Sequence, residues 1–255
     1  MSWAAAVGSL EGVSLDQMNA EAELLTRIDR KYVVRPEALA EIVALHAPQL
    51  RALDIAGCRA ANYRSVYYDT PDLASYLAAA RRRPRRFKVR TREYVDSGAG
   101  AIEVKLRSAR GDTVKHRQWL DLAVARGPET PAVIAYAATF AEVADSAEWL
   151  RPMLTTTYRR TTLLGPTGRI TIDDGVGAED IRGARCDYDG WLIVETKSAG
   201  GAGLIDRELW SRGIRPQRLS KYATSLASLH PDLPANRWHR TLNRYTPSHR
   251  LVAAA

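Results

Sequence analysis

The run RFKVRTREY, Arg86 to Tyr94, constrains this chain more than any other segment. Successive residues of a β-strand point to opposite faces, so as a strand it places Arg86, Lys88, Arg90 and Arg92 on one face and Phe87 and Val89 on the other. The apolar face therefore looks away from a dense row of cations. The pattern recurs: Ile102, Val104 and Leu106 alternate with Glu103, Lys105 and Arg107, Lys115 and Arg117 with Val114 and His116, and Leu192 and Val194 with Glu195 and Lys197. A half-buried sheet with a solvated outer face explains any one such strand. It explains several less well, because like charges on neighbouring strands repel and a solvated face normally mixes signs. An anion filling the space beside the cations relieves the repulsion, and closing the sheet into a barrel creates that space. The fold class expected is α+β: a closed eight-stranded antiparallel β-barrel with helices packed on its apolar outside.

Composition points the same way. Lys and Arg outnumber Asp and Glu by 37 to 29, a formal charge of +8, which suits an anionic partner such as phosphate, nucleic acid or a membrane surface as well as plain solubility. Hydrophobic residues at 45% and charged residues at 26% exclude disordered and fibrous classes. With no linker tract and no repeat, the 255 residues read as a single domain, 1–255, with its core over about 22–230 and an irregular tail, 231–255. Strands are predicted at Arg27–Arg35, Tyr63–Thr70, Arg86–Val95, Ala101–Ser108, Thr113–Leu122, Met153–Gly165, Arg169–Asp174 and Gly190–Ser198. Helices are predicted at Glu37–His46, Asp72–Ala80, Pro131–Ala144, Leu204–Arg212 and Ser220–Leu229. Cys58 and Cys186 are too few and too far apart for a metal site or disulfide framework and read as inert, buried thiols. Without a leader-like N-terminus or an apolar run long enough to cross a bilayer, the expectation is a soluble cytoplasmic protein.

Glu103-Val104-Lys105 and Glu195-Thr196-Lys197 each put a carboxylate and an ammonium on one strand face. The carboxylate can hold a divalent cation while the ammonium holds a phosphate oxygen. Taken alone, each pair reads more readily as a surface ion pair.

The order of motifs resembles the catalytic domain of the vacuolar transporter chaperone (VTC) family, within the triphosphate tunnel metalloenzymes. Its landmarks are RIDRKYVV with Lys31, VYYDTPD, FKVRTREY, IEVKLR, TTYRRTTL, RITIDD with Asp173, IVETK and LSKY, running from about Arg27 to Leu229. The resemblance implies a triphosphate tunnel in which Lys31, Arg90, Arg92, Lys105, Arg160 and Lys221 contact phosphates. Lys88, Arg107, Lys115, Arg117, Tyr158, Lys197 and Ser220 are further substrate-binding candidates. Glu195 is the expected ligand of Mn2+ or Mg2+, with Glu103 and Asp173 as additional metal candidates. The implied activity moves the terminal phosphate of ATP onto a polyphosphate chain.

Two departures bear on this reading. Tunnel hydrolases usually open with a Glu-x-Glu-x-Lys strand, whereas the corresponding run here is Arg27-Ile28-Asp29-Arg30-Lys31, which favours the polymerase-like branch. A histidine beside the matching lysine of some eukaryotic members is Arg107 here, so its role does not carry over. The membrane segments of the eukaryotic proteins have no counterpart, and translocation is expected to require a membrane-protein partner. Alternatives are a hydrolase of triphosphate or polyphosphate using Glu103 or Asp173 to activate water, and a polyphosphate-binding module without turnover. Single-stranded nucleic-acid binding, suggested by charge and by Tyr67, Tyr68 and Trp119, ranks last because strand aromatics are usually core; no specific nucleic-acid partner is expected.

Overall fold

The computed structural model describes residues 1–21, 28–126 and 131–245, and the backbone of 248–250. Its strands are β1 (Glu11–Val13), β2 (Ile28–Val34), β3 (Arg51–Leu53), β4 (Ala60–Asp69), β5 (Arg86–Tyr94), β6 (Ala99–Arg107), β7 (Thr113–Leu120), β8 (Arg151–Gly165), β9 (Gly168–Asp180), β10 (Arg185–Asp187), β11 (Leu192–Ser198) and β12 (Ser248–Arg250). Its helices are α1 (Trp3–Gly8), α2 (Leu15–Glu21), α3 (Pro36–Leu45), α4 (Ala74–Ala80), α5 (Leu122–Arg126), α6 (Pro131–Ala138), α7 (Ala141–Ala147), α8 (Leu204–Ser211), α9 (Lys221–Leu229) and α10 (His239–Arg244). Two compact units are present: Met1–Ala61, Tyr158–Val176 and Tyr188–Arg218 form the first, and Asn62–Thr157, Gly177–Asp187 and Leu219–Ala255 the second.

In the first unit β11 pairs antiparallel with β2 on one side and β9 on the other. Tyr32, Val34, Leu192, Val194, Ile170 and Ile172 share the face that packs on Leu39, Ile42 and Val43 of α3 and on Ile205 and Leu209 of α8. Pro36 starts α3 at a position where its missing N–H costs nothing. Wholly buried Asp206 accepts hydrogen bonds from Tyr32 Oη at 2.7 Å, Thr196 Oγ1 at 2.6 Å and the Gly203 N–H at 2.8 Å, fixing α8 to the two strands beneath it. These bonds repay a carboxylate that would otherwise be costly to bury.

The second unit is built on an antiparallel meander, β4-β5-β6-β7. Val66, Tyr68, Val89, Ile102, Val104 and Leu106 form its apolar back, covered by Val133 and Ala137 of α6 and Val143 and Ala147 of α7. The single helix expected over Pro131–Ala144 is two: Phe140 adopts an extended conformation, φ −103° and ψ 120°, and its ring packs 4.7 Å from His116. Both halves remain apolar on the same side, so periodicity alone does not reveal the break. The tail, expected to be irregular, carries α10, and Trp238 before it is buried against Tyr76.

The eight strands expected from alternation correspond to β2, β4, β5, β6, β7, β8, β9 and β11 where described; Arg27 lies outside the described residues. The expectation of a closed barrel is corrected. The sheet runs β12-β10-β9-β8-β4-β5-β6-β7 and is open: among the described residues β7 pairs with β6 alone and β2 with β11 alone. The edge strand β7 carries Lys115 and Arg117, and β2 carries Arg30 and Lys31, charges of the kind that keep an edge from adding a further strand. Outside those eight strands, β1 pairs parallel to β3. Three-residue strands and six- or seven-residue helices near the N-terminus are too short for periodicity to detect. Cys186 is buried as expected, but Cys58 is exposed at a turn whose Ala56 and Gly57 take positive φ. No helix among the described residues is long and apolar enough to cross a membrane.

Asp69 organises the second unit around β4. It accepts from the backbone N–H groups of Thr70, Ser75 and Tyr76 and from Tyr222 Oη at 2.6 Å, capping α4 and anchoring α9 together. Burial pushes its carboxyl above the ordinary value, against the opposing effect of these four bonds. Asp69→Ala is expected to lower unfolding stability by about 3 kcal/mol, since it strands several buried donors, and Tyr222→Phe by about 1 kcal/mol, since only one bond is lost. Urea denaturation of the two variants checks this; equal losses would overturn the proposed division of labour.

Candidate functional site

Pairing register turns the alternating sequence into a lattice. On the front of the second unit Lys88, Lys105 and Lys115 stand side by side on β5, β6 and β7, and the next row is Tyr67, Arg90, Glu103 and Arg117 across β4 to β7. Beyond it come Ser65, Arg92, Ala101 and Trp119, and on the other side of the lysines Arg86, Arg107 and Thr113. Eight cations thus occupy one face of three strands, with Glu103 as its single acid.

Glu103 is 2% exposed and takes Arg90 Nε at 2.8 Å, Arg117 Nη2 at 2.7 Å, Lys115 Nζ at 3.3 Å and, more distantly, Arg92 at 3.9 Å. Burial raises its carboxyl pKa, but Arg90, Arg92, Lys115 and Arg117 outweigh that and hold it well below the usual carboxylate range. The cations feel their neighbours too. Lys115 is lowered by burial and by Arg117 despite Glu103, and Arg86 is pushed down to about 10 by burial, Arg107 and Arg237. Lys105 remains exposed, while Arg92 is buried.

The start of α9 joins this face. Ser220 caps the helix through the Ala223 N–H and accepts from Lys88 Nζ at 2.8 Å. Tyr222 stacks on Tyr67 with centroids 5.3 Å apart, and Tyr67 Oη accepts from Arg90 at 3.1 Å. Burial raises the Tyr67 pKa, but Arg90, Lys221 and Arg92 outweigh it and the net shift is downward, which places Lys221 in the same field.

A second set lies on the first unit. Lys31, Glu195 and Thr171 are register partners across β2, β11 and β9, flanked by Asp29, Lys197 and Arg169 in one row and by Val33, Ile193 and Asp173 in the other. Arg160 donates Nε and Nη2 to the two oxygens of Asp173 at 2.6 and 2.9 Å and lies 5.2 Å from the Tyr158 ring. Lys197 Nζ is 3.9 Å from Glu195. Burial opposes the charge on Arg160, yet Asp173, Tyr158 and Glu195 together raise its pKa well above the ordinary value.

No group of three His, Cys, Asp or Glu side chains is arranged for a metal among the described residues. Hard divalent ions such as Mg2+ are nevertheless held by one or two carboxylates plus substrate phosphates. Glu195 fits that role: its register partner Thr171 has a buried hydroxyl with no hydrogen-bond partner among the described residues, so a second oxygen donor stands on the same face. Asp173 would first have to release Arg160, and Glu103 is already surrounded by four cations.

The sequence profile of the VTC domain matches residues 26–230. The chain belongs to the VTC domain family. The protein HpAC1 from Hippeastrum, an assigned adenylyl cyclase with a dominant triphosphatase activity, is 14% identical, with a TM-score of 0.52 over 83% of this chain and 100% of its own. An assigned adenylate cyclase from Bacillus halodurans is 17% identical, with a TM-score of 0.47 over 76% of this chain and 93% of its own. The likeness to HpAC1 shows a shared fold. No curated protein matches the chain significantly. Family and fold place this VTC domain protein in the triphosphate-tunnel superfamily, which includes enzymes acting on polyphosphate and nucleotides.

Sequence reasoning about the VTC domain missed Tyr63, Ser65, Asp69, Tyr94 and Tyr222. Parity along Arg86–Tyr94 could have found Tyr94, which continues the cation face; the others depend on register or on a helix docking from far along the chain. Trp119, expected as a core aromatic, is 60% exposed.

Glu103→Gln keeps side-chain shape and removes the charge that binds the lattice together. A fully enclosed broken pair costs about 3–5 kcal/mol; with Lys115 and Arg117 partly solvated, the expected loss is about 2 kcal/mol, recovered when triphosphate is added. The depressed folded pKa means that wild-type Glu103 contributes stability fully above the ordinary carboxylate range and loses it as pH falls toward the folded value. Thermal melts between pH 7 and pH 3 check both points: the difference between wild type and Glu103→Gln should shrink on acidification, and a constant gap would contradict the assignment.

Proposed function

We propose that this VTC domain protein is a polyphosphate polymerase, which moves the terminal phosphate of ATP to a polyphosphate chain. The observation that supports this best is the cation lattice of β5, β6 and β7, in which a single internal acid stands among eight cations. Phosphoryl transfer asks the protein mainly to position phosphates and to neutralise charge. Arg90 and Arg92 would hold the triphosphate by planar, multidentate hydrogen bonds, and Lys88, Lys105 and Lys115 would supply point charge where negative charge accumulates. Ser220 and Lys221 present a hydroxyl and an ammonium from the start of α9. On the first unit Lys31, Arg160 and Lys197 are the corresponding phosphate ligands and Glu195 would hold Mn2+ or Mg2+. When bound, that ion would offset charge on the phosphate oxygens.

In the reaction, an oxygen of the acceptor chain's terminal phosphate forms a bond to the γ-phosphorus, the bond to the β-phosphate oxygen breaks, and ADP leaves. The attacking oxygen is already ionised at neutral pH, so no protein base is needed. Hydrolysis would need one. Glu103 is poorly suited, because its proton affinity is suppressed by four cations, and Asp173 is engaged at both oxygens by Arg160. These pairings favour transfer to phosphate over transfer to water.

Purified protein incubated with ATP and Mn2+ should yield a ladder of polyphosphate on a gel, and Glu195→Gln should lose nearly all turnover while remaining folded. Orthophosphate as sole product would replace the polymerase by a hydrolase. Phosphate binding has its own test: triphosphate should raise the melting temperature of the wild type far more than sulfate at equal ionic strength. At a concentration about 100 times the dissociation constant the gain is roughly 2.7 kcal/mol, a shift on the order of 5 to 10 °C. Lys105→Ala should leave the empty protein no less stable and shrink that shift; an undiminished shift would remove Lys105 from the binding face.

A further inference from the structure

The cation face has an aromatic end. Along β5 it reads Arg86, Lys88, Arg90, Arg92 and then Tyr94; along β7 it reads Lys115, Arg117 and then Trp119; and Tyr63 of β4 stands opposite Tyr94. Tyr63 meets Tyr94 edge-on at 5.3 Å, and Tyr94 meets Trp119 at 5.6 Å. The adjoining cations lean onto these rings: Arg92 is 5.2 Å from the Tyr63 centroid, and Arg117 is 5.7 Å from Tyr94 and 5.3 Å from Trp119. An aromatic group that served only to seal the strand ends would bury its largest member, yet Trp119 is 60% exposed.

We propose that Trp119, backed by Tyr94 and Tyr63, is a nucleobase subsite, an inference that rests on the phosphate-binding reading of the same face. Two residues of antiparallel strand advance about 7 Å. A flat ring stacked on Trp119 lies in the Arg92 row, and the groups attached to it reach Arg90 and Arg117 about 7 Å along and the lysine row a further ~7 Å on. A nucleoside 5′-triphosphate has this layout, with one π-face followed by a short run of anions. It would lie with its base at the aromatic end and its γ-phosphate toward Lys88, Lys105 and Lys115. The acceptor chain would then approach from the opposite end, where Arg81, Arg82, Arg83 and Arg85 precede Arg86. A single-stranded nucleic acid would call for stacking platforms repeated along the groove, whereas here the aromatics form one group at one end.

The test is a comparison of ATP with inorganic tripolyphosphate by calorimetry, without turnover, on wild type, Trp119→Ala and Trp119→Phe. Base–aromatic stacking predicts that Trp119→Ala lowers the ratio of ATP to tripolyphosphate affinity about ten-fold and that Trp119→Phe restores most of it. ATP and GTP should bind alike, because stacking reads a ring face and not the hydrogen-bonding edges. Equal weakening of ATP and tripolyphosphate would show that Trp119 only supports the cations, and an unchanged ratio would show that no base rests there; either overturns the subsite. Failure of the wild type to bind tripolyphosphate would instead overturn the phosphate reading beneath it, and the subsite with it.

Discussion

Repulsion among cations on β5, β6 and β7 is the constraint on which the second unit depends. Side chains on adjacent strands stand about 5 Å apart, so rows such as Lys88, Lys105 and Lys115 cannot relax without leaving the sheet. Glu103 satisfies part of the field, and the apolar back, sealed by α6 and α7, supplies the burial that holds the strands together in spite of it. A face organised in this way favours a ligand with many negative charges close together, because each new contact also removes a repulsion.

The first unit solves a different problem. Between β2 and β11 its polar face pairs opposite signs, with Lys31 beside Glu195 and Asp29 beside Lys197, while Arg169 of β9 stands next to Lys197. Glu195, with Lys197 at 3.9 Å and the Thr171 hydroxyl beside it, is a better starting point for a hard cation than Glu103, which is locked among guanidinium groups. The proposed division of roles between phosphate-binding and metal-binding residues follows from these two electrostatic environments.

Much of this was legible in the sequence because its signal has a period of two. Alternation identified the faces of β5, β6, β7 and β11, and with them most cations of the candidate site. What alternation could not supply was partnership. That Glu103 binds Arg117 as well as Arg90, that Asp69 reaches Tyr222, and that β7 stays an edge are consequences of register and docking between residues far apart in the chain. The closed barrel was an extrapolation from charge: a reason for cations to enclose an anion does not by itself create the last row of hydrogen bonds.

The same period of two limits how this domain can change over evolutionary time. Deleting a single residue within β5, Phe87 for example, would shift the alternation by one step on one side of the gap and drive Lys88, Arg90 and Arg92 toward Val133 and Ala137, while Val89 would turn to the cation face. Deletions of two residues would slide the cations along the sheet and leave them on their face. Length variation in this part of the domain should therefore accumulate in the turns, where parity is not counted, and within the strands survive only in even steps.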